Sequence, residues 1–245
     1  MKGWKRDRVI QALESCGFHA KVLQQKSLLT IDYKEYVGMH DHIEEMGRNI
    51  VRRLHPNARH KHSRLWKKEE NEDILANDLK SNTYNFNGDC LASTEETKCV
   101  SIYTSLHPYI LIKGLGKMKK LRFLHVGFSS SYDDETLELN TCSPCFTYAL
   151  GYLCLPKRSS PCFLDALKYL NFYTYPFRAL PNTFKPKNMG SLEMHSSNVE
   201  QHWVGGEHKV LHKLRFLDLT ESNLRTLNIC LAPNLEMLNL RGCPD

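Results

Sequence analysis

A six-residue pattern of apolar residues, L-x-x-L-x-L, recurs in the C-terminal half of this 245-residue chain and restricts what the chain can fold into. Its first positions are Leu121, Leu167, Met189, Leu214 and Leu235. The last four starts are 22, 25 and 21 residues apart, and the first gap of 46 residues equals two periods of 23. Such a repeat predicts a stack of similar units, because one unit alone cannot bury its apolar side chains.

The spacing inside each unit indicates a short β-strand. Residues two apart face the same side of a strand, so the fourth and sixth positions of the pattern point into one core. These positions are Leu124 and Val126, Leu170 and Phe172, Leu192 and Met194, Leu217 and Leu219, and Leu238 and Leu240. Amphipathic helices are the alternative, but the Gly, Pro and Asn residues between units would leave them unusually short. We therefore predict leucine-rich repeats with a parallel strand ladder. In this ladder the side chains of Ser222 and Cys243 are expected to form hydrogen bonds with the backbone of the turn after each strand.

In the first part of the chain the apolar residues recur at helical spacing instead. Val9, Ala12, Leu13 and Cys16 share one helical face, and Gly17 is expected to stop that helix. The run KVLQQK follows as a second short helix. The segment SLLTIDYKEYVGMH alternates like two short strands with a turn at DYKE, which predicts a β-hairpin.

A third helix is expected to begin at Asp41. Ile43, Met46 and Ile50 recur at helical spacing, and Asp41 followed by Glu44 resembles a capping box. Helix, helix, hairpin and helix is the order of a small winged-helix-like domain. The predicted fold class is therefore α/β, with a winged-helix-like domain followed by a leucine-rich-repeat solenoid.

Leucine content marks the boundary between the two parts. Residues 1–100 contain nine leucines and residues 101–245 contain twenty-five, and the polar stretch LKSNTYNFNGDCLAST lies where the change occurs. We predict a winged-helix part at 1–66, a linker at 67–93 and leucine-rich repeats at 94–245. Val100 and Ile102 indicate an additional early strand.

Composition disfavours several classes of protein. No run approaches the roughly 18 apolar residues that a membrane-spanning helix needs, and the N-terminus has no apolar signal segment. Nine cysteines with irregular spacing favour reduced thiols, hence a cytoplasmic or nuclear location. The net charge of +6 is not concentrated in a tail, and the helix after Asp41 begins with acidic Glu44 and Glu45. We therefore expect neither membrane insertion nor nucleic-acid binding.

Specific motifs resemble a known family. The run GMHDHIEEMGRNIVRR is similar to the MHD motif and following helix of plant TIR-type nucleotide-binding leucine-rich-repeat disease resistance proteins. HSRLW at 62–66 and the repeats around LKYLNFYTYPFRALP resemble the segments that follow in that family. The resemblance implies an innate immune receptor whose repeats recognise proteins and restrain a switch controlled by ADP.

The same resemblance implies a cofactor contact at Met39, His40 and Asp41, in which the histidine touches the β-phosphate of ADP. The chain contains no G-x-x-x-x-G-K-[ST] motif and no TIR segment, so we interpret it as a truncated member of the family. We expect it to bind no nucleotide by itself. The NAD-hydrolysing activity belongs to the TIR domain, and we expect this chain not to be an enzyme.

Protein binding is expected on residues beside the core positions of the repeats. The candidates are Arg122, Lys168, Arg215, Asp218, Glu236 and Asn239. The resemblance implies as partners a pathogen effector or a guarded host protein, and the nucleotide-binding module of the same receptor. Trp203 and Tyr173 are contact anchors or core residues. The alternative function is a free-standing repeat adaptor or decoy that binds no nucleotide.

Two clusters have metal-ligating residue types, and we expect a metal at neither. Cys142, Cys145, Cys154 and Cys162 lack the paired spacing of structural zinc sites. His55, His60 and His62 lie in a basic polar segment, which indicates solvent-facing side chains.

Overall fold

The computed structural model describes residues 1–58, 61–66, 72–75, 96–104, 111, 114–115, 118–128, 163–175, 178, 186–200 and 210–244. In chain order the elements are α1 (Arg6–Ser15), α2 (Ala20–Gln25), β1 (Thr30–Ile31), β2 (Val37–Gly38), α3 (Asp41–Leu54), β3 (Arg64–Leu65), β4 (Cys99–Thr104), β5 (Phe123–Phe128), α4 (Phe163–Ala166), β6 (Tyr169–Tyr173), β7 (Ser191–His195), β8 (Phe216–Asp218), a 3₁₀ turn (Ile229–Leu231) and β9 (Met237–Asn239). Elements α1 to α3 form the N-terminal unit, and strands β3 to β9 form one parallel sheet.

The hairpin of the N-terminal unit is organised by its turn. Asp32 Oδ1 accepts hydrogen bonds from the backbone amides of Lys34 at 2.8 Å and Tyr36 at 2.9 Å. Strands β1 and β2 then pair antiparallel, and Lys5 forms a further bridge to Tyr36. The predicted hairpin is therefore confirmed, and the residues before α1 add to its edge.

The helices of this unit are short and have defined ends. Gly17 has φ +84°, its amide bonds the carbonyl of Glu14 and the Phe18 amide bonds the carbonyl of Leu13. This is a Schellman ending, which confirms Gly17 as the stop of α1. The longest of the described helices, α3, has 14 residues, and no described helix is long and apolar enough to cross a lipid bilayer.

The start of α3 differs from the prediction. Its N-cap is His40, whose Nδ1 accepts a hydrogen bond from the His42 amide at 3.3 Å, and Asp41 is the first helical residue. The Asp41–Glu44 capping box is therefore wrong. Both carboxylates instead pair with the Lys2 ammonium, Asp41 at 2.6 Å and Glu44 at 3.2 Å. Negative charge in the first turn still suits the helix dipole.

The seven-stranded sheet is a ladder in which each strand pairs only with its neighbours in the chain. The strand order is β3-β4-β5-β6-β7-β8-β9, and all pairs are parallel. Leu124, Leu170, Leu192, Leu217 and Leu238 are successive partners across it. The register therefore stacks equivalent repeat positions into one apolar column.

The predicted core positions of the first four repeats are buried. Leu121, Leu167, Met189 and Leu214 are inaccessible, and the fourth and sixth positions of these repeats lie in the same core. The last repeat is looser, since Leu235 and Leu238 are only partly buried and Leu240 is exposed. Val100 and Ile102 are buried in β4, which confirms the early strand.

Small polar side chains close the turns after the strands, as predicted. The Cys243 thiol donates to the Leu219 carbonyl at 3.1 Å and lies 3.4 Å from Ser222 Oγ. Ser197, which the sequence analysis did not single out, donates from Oγ to the Met194 carbonyl. The Cys243 bond links the turn after β9 to the residue that follows β8, and the Ser197 bond closes the turn after β7.

Strand β3 and the predicted linker also contribute to the ladder. β3 pairs with β4 although it lies inside the range predicted for the winged-helix part. Residues 72–75 are helical, Leu75 is buried in the ladder core, and Thr104 Oγ1 donates to Glu72 at 2.8 Å. The domain limits themselves stay a prediction.

Two leucines provide a test of the ladder core. We expect Leu192→Ala to lower the free energy of unfolding by about 2–5 kcal/mol, because Leu192 is 1% exposed and truncation leaves a cavity. Leu240→Ala, at a residue 37% exposed, is expected to cost less than about 1 kcal/mol. Urea unfolding of both variants measures the difference, and equal losses would contradict the observed packing.

Candidate functional site

The main contact between the two parts is made by α1, which lies across the outer face of the ladder, opposite the apolar core. Along α1, Arg8 reaches β7, Gln11 Nε2 bonds Met237 Sδ of β9 at 3.0 Å, and the Cys16 thiol points at the Arg122 carbonyl at 3.9 Å. One short helix therefore contacts strands from β5 to β9. We call this contact the α1–ladder interface.

An aromatic cluster forms the apolar part of the interface. The rings of Phe123 and Tyr169, neighbours in β5 and β6, stack with centroids 4.7 Å apart and an interplanar angle of 7°. Ala12 of α1 is buried against them, and the Trp4 indole lies edge-on to His125 at 5.0 Å. A small alanine is required here because it lets the helix backbone approach the rings.

An ion pair joins the two parts at the centre of the interface. Arg8 Nε donates to Glu193 Oε2 at 2.7 Å, and the Arg8 guanidinium stacks 4.1 Å above the Trp4 ring. The Glu193 side chain is 2% exposed, whereas that of Arg8 is 28% exposed. A carboxylate so fully removed from water needs its cation, because an unpaired buried charge is costly.

A line of hydrogen bonds extends from this pair along the outer face. Asn171 Nδ2 donates to Glu193 Oε2 at 2.8 Å, and its own Oδ1 lies 2.6 Å from His125 Nδ1. Because an amide oxygen only accepts, His125 carries its proton on Nδ1. The three residues occupy paired register positions on β5, β6 and β7.

Burial shifts the titration of the side chains at the interface. It lowers the pKa of His125 to about 4, although the bond to Asn171 acts in the opposite direction. Burial, reinforced by the Glu193 charge, raises the pKa of Tyr169 well above its usual value. It also raises the pKa of the Cys16 and Cys99 thiols to about 11. These thiols are therefore neutral packing groups at pH 7 and poor nucleophiles.

The polar part of the interface is incompletely hydrogen-bonded. The buried atoms that find no partner among the described residues include Arg8 Nη2, Ser15 Oγ, His125 Nε2, Ser191 Oγ and Glu193 Oε1. Buried polar atoms without partners cost about 1–3 kcal/mol each unless water reaches them. The interface is consequently weaker than its buried charges suggest.

The predicted protein-binding residues fall into two separate groups. Arg122, Lys168, Arg215 and Glu236 form a row immediately before the paired first residues of β5, β6, β8 and β9. Arg215 makes a bidentate pair with Glu236, at 2.6 and 2.8 Å. Lys168, Arg215 and Glu236 of this row line a cleft of about 730 Å³ beside the end of α1.

The second group lies on the outer face near the end of the ladder. Asn239 Nδ2 donates to Asp218 Oδ2 at 3.1 Å, and Asp218 Oδ1 lies 3.6 Å from His195 Nδ1. Tyr173 is 44% exposed at the end of β6, which excludes the core alternative for it. Trp203 lies outside the described residues. Protein binding by these residues stays a prediction.

The candidate nucleotide residues lie at the N-terminus of α3. Met39 is half-buried, and His40 and Asp41 are exposed. His40 Nδ1 is occupied as the helix cap, so its Nε2 is the nitrogen left to donate to an anion. This geometry fits a single phosphate contact by His40. Asp41 pairs with Lys2 at the start of the helix. Cofactor binding by Met39, His40 and Asp41 stays a prediction.

The histidines that were expected to face solvent do not all do so. His62 is buried, with Nε2 2.9 Å from the His55 carbonyl. That interpretation is therefore wrong for His62, which holds the segment between α3 and β3. His60 and the four cysteines considered for zinc lie outside the described residues.

Sequence reasoning missed the residues that join the two parts, above all Trp4, Arg8 and Glu193. A signal for Glu193 was present, because it stands between the core residues Leu192 and Met194 and must face outward. Nothing in the local pattern of α1 shows that its polar side docks on a sheet.

Comparison with known proteins agrees with this architecture. Residues 1–55 match the family model described as "Disease resistance protein Roq1-like, winged-helix domain". The chain is 30% identical over 252 residues to TMV resistance protein N of Nicotiana glutinosa, covering 100% of this chain and 18% of that protein. It is 29% identical over 258 residues to disease resistance protein RUN1 of Vitis rotundifolia, covering 99% and 18%. It is also 29% identical over 249 residues to disease resistance protein RPP2B of Arabidopsis thaliana, covering 98% and 18%.

Residues 1–55 are a winged-helix domain of plant TIR-type nucleotide-binding leucine-rich-repeat disease resistance proteins, and the whole chain is similar to such proteins. It spans about 18% of the length of the curated relatives named above. The winged-helix match covers α1, the hairpin and α3, which confirms the fold predicted for this part. The α1–ladder interface thus joins the winged-helix part to the parallel strand ladder.

The buried His125 makes the free energy of unfolding depend on pH. Its folded pKa of about 4 lies below the unfolded value of about 6.5, so the unfolded chain binds more protons between these limits. We expect stability to fall by up to about 3 kcal/mol as the pH drops from about 6.5 to 4. Urea unfolding across this range tests it. In His125→Gln the dependence should be flatter by that amount, and an unchanged slope would contradict the assignment.

Proposed function

We propose that this chain is the restraint and recognition part of a plant immune receptor. In this proposal the ladder holds the winged helix through the α1–ladder interface until a protein bound by the repeats releases it. The observation that supports this function best is the Arg8–Glu193 pair, because it couples the two parts through a buried charge. The relatives, which are disease resistance proteins, give the biological setting.

The composition of the interface suits a contact that must open. Its apolar area is restricted to a few side chains around Ala12, and the remainder is polar and incompletely paired. Interfaces of this kind allow relative motion of the parts they join, because water can replace their hydrogen bonds. A large apolar interface would instead hold the winged helix permanently.

The proposed restraint also uses nucleotide. We propose that His40 contacts the β-phosphate of ADP, as the family resemblance implies. This contact would favour the closed arrangement, in which α1 is docked on the ladder. The support is the exposed Nε2 of His40, oriented by the helix cap. ADP would supply the charge that the helix N-terminus and His40 stabilise. We propose no catalytic role for this chain.

We propose protein partners of two kinds, a pathogen effector or guarded host protein on the ladder and the nucleotide-binding module on the winged helix. We propose a cytoplasmic or nuclear setting, in which the free thiols Cys16 and Cys99 stay reduced. The adaptor alternative is less well supported, because α1 covers part of the face that an adaptor would use.

A double-mutant cycle on Arg8 and Glu193 tests the restraint. Arg8→Ala should lower the free energy of unfolding of the chain by about 3–5 kcal/mol, because it leaves the Glu193 carboxylate buried and unpaired. Adding Glu193→Ala should restore part of that loss, giving a coupling energy of about 1–3 kcal/mol. Urea unfolding of the single and double variants measures the loss in stability and the coupling energy. Hydrogen exchange of the α1 amides shows whether the loss is located at the interface.

The exposed pair Arg6–Glu35 is the matched control for that cycle. Its atoms are 3.5 Å apart and its side chains are 45% and 59% exposed, so we expect a coupling energy below about 0.5 kcal/mol. Coupling at Arg8–Glu193 no larger than in this control would refute the restraint.

A nucleotide assay tests the role of His40. We expect the purified chain to release far less than equimolar ADP on denaturation, because one imidazole cannot balance a diphosphate without a lysine and an amide cradle. Chromatography of the denatured supernatant measures this. Equimolar ADP that disappears in His40→Ala would show instead that the MHD residues are sufficient.

A further inference from the structure

We infer that the outer face around Glu193 is an arginine-recognition pocket, that Arg8 is its internal occupant, and that the external partner is a basic protein segment presenting an arginine beside an aromatic side chain. This inference rests on the proposed function, since the partner would release α1 by taking the place of Arg8.

The acceptor in this pocket is only partly used. Arg8 Nε at 2.7 Å, Asn171 Nδ2 at 2.8 Å and His195 Nε2 at 3.3 Å all converge on one oxygen, Glu193 Oε2. The other oxygen, Oε1, is buried and has no hydrogen-bond partner in the part of the chain that the structure describes. The Tyr169 hydroxyl lies beside both Glu193 and Arg8 and is itself incompletely hydrogen-bonded. The pocket therefore keeps an acceptor whose hydrogen bonding a better-placed donor can complete.

Arg8 occupies the pocket with a single bond to the carboxylate. It bonds through Nε, while its buried Nη2 finds no partner among the described residues. A guanidinium can instead place two parallel N–H bonds on the two oxygens of a carboxylate, which is the stronger arrangement. Arg8 is fixed to a helix whose position is set by Ala12 against the aromatic rings. An arginine on a separate segment is free to adopt the two-bond geometry.

The internal occupant of the pocket combines a planar cation with an aromatic ring. Trp4, four residues before Arg8, places its ring 4.1 Å from the guanidinium and also contacts Tyr169 and His125. A guanidinium both stacks on such rings and bonds a carboxylate edge-on, whereas a lysine ammonium has no planar face. In the internal occupant the aromatic residue Trp4 precedes Arg8 by four positions, and we expect an external partner to present the same aromatic-x-x-x-arginine spacing.

The charged side chains around the pocket also favour a basic partner. The outward-facing positions of β7 and β8 include Glu193 and Asp218 and no lysine or arginine. His195 lies between the two carboxylates, 3.3 Å from Glu193 and 3.6 Å from Asp218. An approaching acidic segment would meet two carboxylates, so the face discriminates against it.

The test adds the internal occupant of the pocket as a separate peptide. The probe is a fluorescein-labelled synthetic peptide with the sequence of residues 1–17, and the target is the full 245-residue chain carrying Trp4→Ala and Arg8→Ala. Fluorescence anisotropy measures the dissociation constant. We expect saturable binding, at least tenfold weaker binding to the unmodified chain, and at least tenfold weaker binding when Glu193→Gln is added to the target.

Matched variants separate recognition from simple charge attraction. A peptide with Arg8→Gln should bind at least tenfold more weakly and one with Arg8→Lys should bind severalfold more weakly, while Arg6→Gln should leave binding nearly unchanged. In the target, Glu221→Gln removes an exposed carboxylate outside the pocket and should change the affinity less than twofold. Equal binding of the Arg8→Gln peptide, or an affinity unaffected by Glu193→Gln, would overturn the inference.

A second measurement covers the case in which the vacated target does not fold. Excess peptide is added to the unmodified chain, and amide hydrogen exchange is followed at Val9 and Ala12 of α1. Displacement predicts severalfold faster exchange with the 1–17 peptide and no change with its Arg8→Gln version, and equal rates would refute the inference. If the Arg8–Glu193 cycle shows coupling and the peptide fails, only this inference falls. If the cycle shows no coupling, the proposed restraint falls as well.

Discussion

The joining of winged helix to ladder depends on one buried carboxylate. Glu193 lies on the outer face of β7 with its side chain 2% exposed, and water is kept away by α1. Because removing a carboxylate from water costs several kcal/mol, the hydrogen bonds from Arg8 and Asn171 stabilise the docked position of α1. The aromatic contacts of Trp4 and the backbone approach at Ala12 set where Arg8 lies. Substitution of Trp4 or Ala12 is therefore expected to weaken the Arg8–Glu193 pair although neither residue belongs to that pair.

The same two-residue alternation produces both the core and this site. In β7 the residues Leu192 and Met194 point inward and complete the apolar column, so Glu193 must point outward. The parallel register then places Asn171 beside Glu193 and His125 beside Asn171. A line of polar groups along the outer face is thus a geometric consequence of stacking repeats in register. What the sequence adds is the choice of residues at those outward positions.

Local rules explain which predictions could be made from the sequence. Repeat spacing identified the buried positions of four repeats, and Gly17 identified the end of α1, because both depend on neighbouring residues. The cap of α3 was missed since a histidine at position 40, rather than Asp41, accepts the amide hydrogen bond. The α1–ladder interface could not be predicted, because Arg8 and Glu193 are 185 residues apart and each looks like an ordinary solvated charge. Only the tertiary packing of α1 makes them a pair.

The incomplete pairing at this interface has an energetic consequence. If every donor and acceptor around Glu193 were satisfied, separation would cost the full set of charge-assisted bonds and the contact would be close to permanent. Glu193 Oε1 and Arg8 Nη2 have no hydrogen-bond partner among the described residues, so undocking of α1 gains hydration at both atoms and loses one strong bond. In the proposed restraint, a partner that pairs both carboxylate oxygens shifts the population toward the undocked state by the difference between its bonds and those of Arg8.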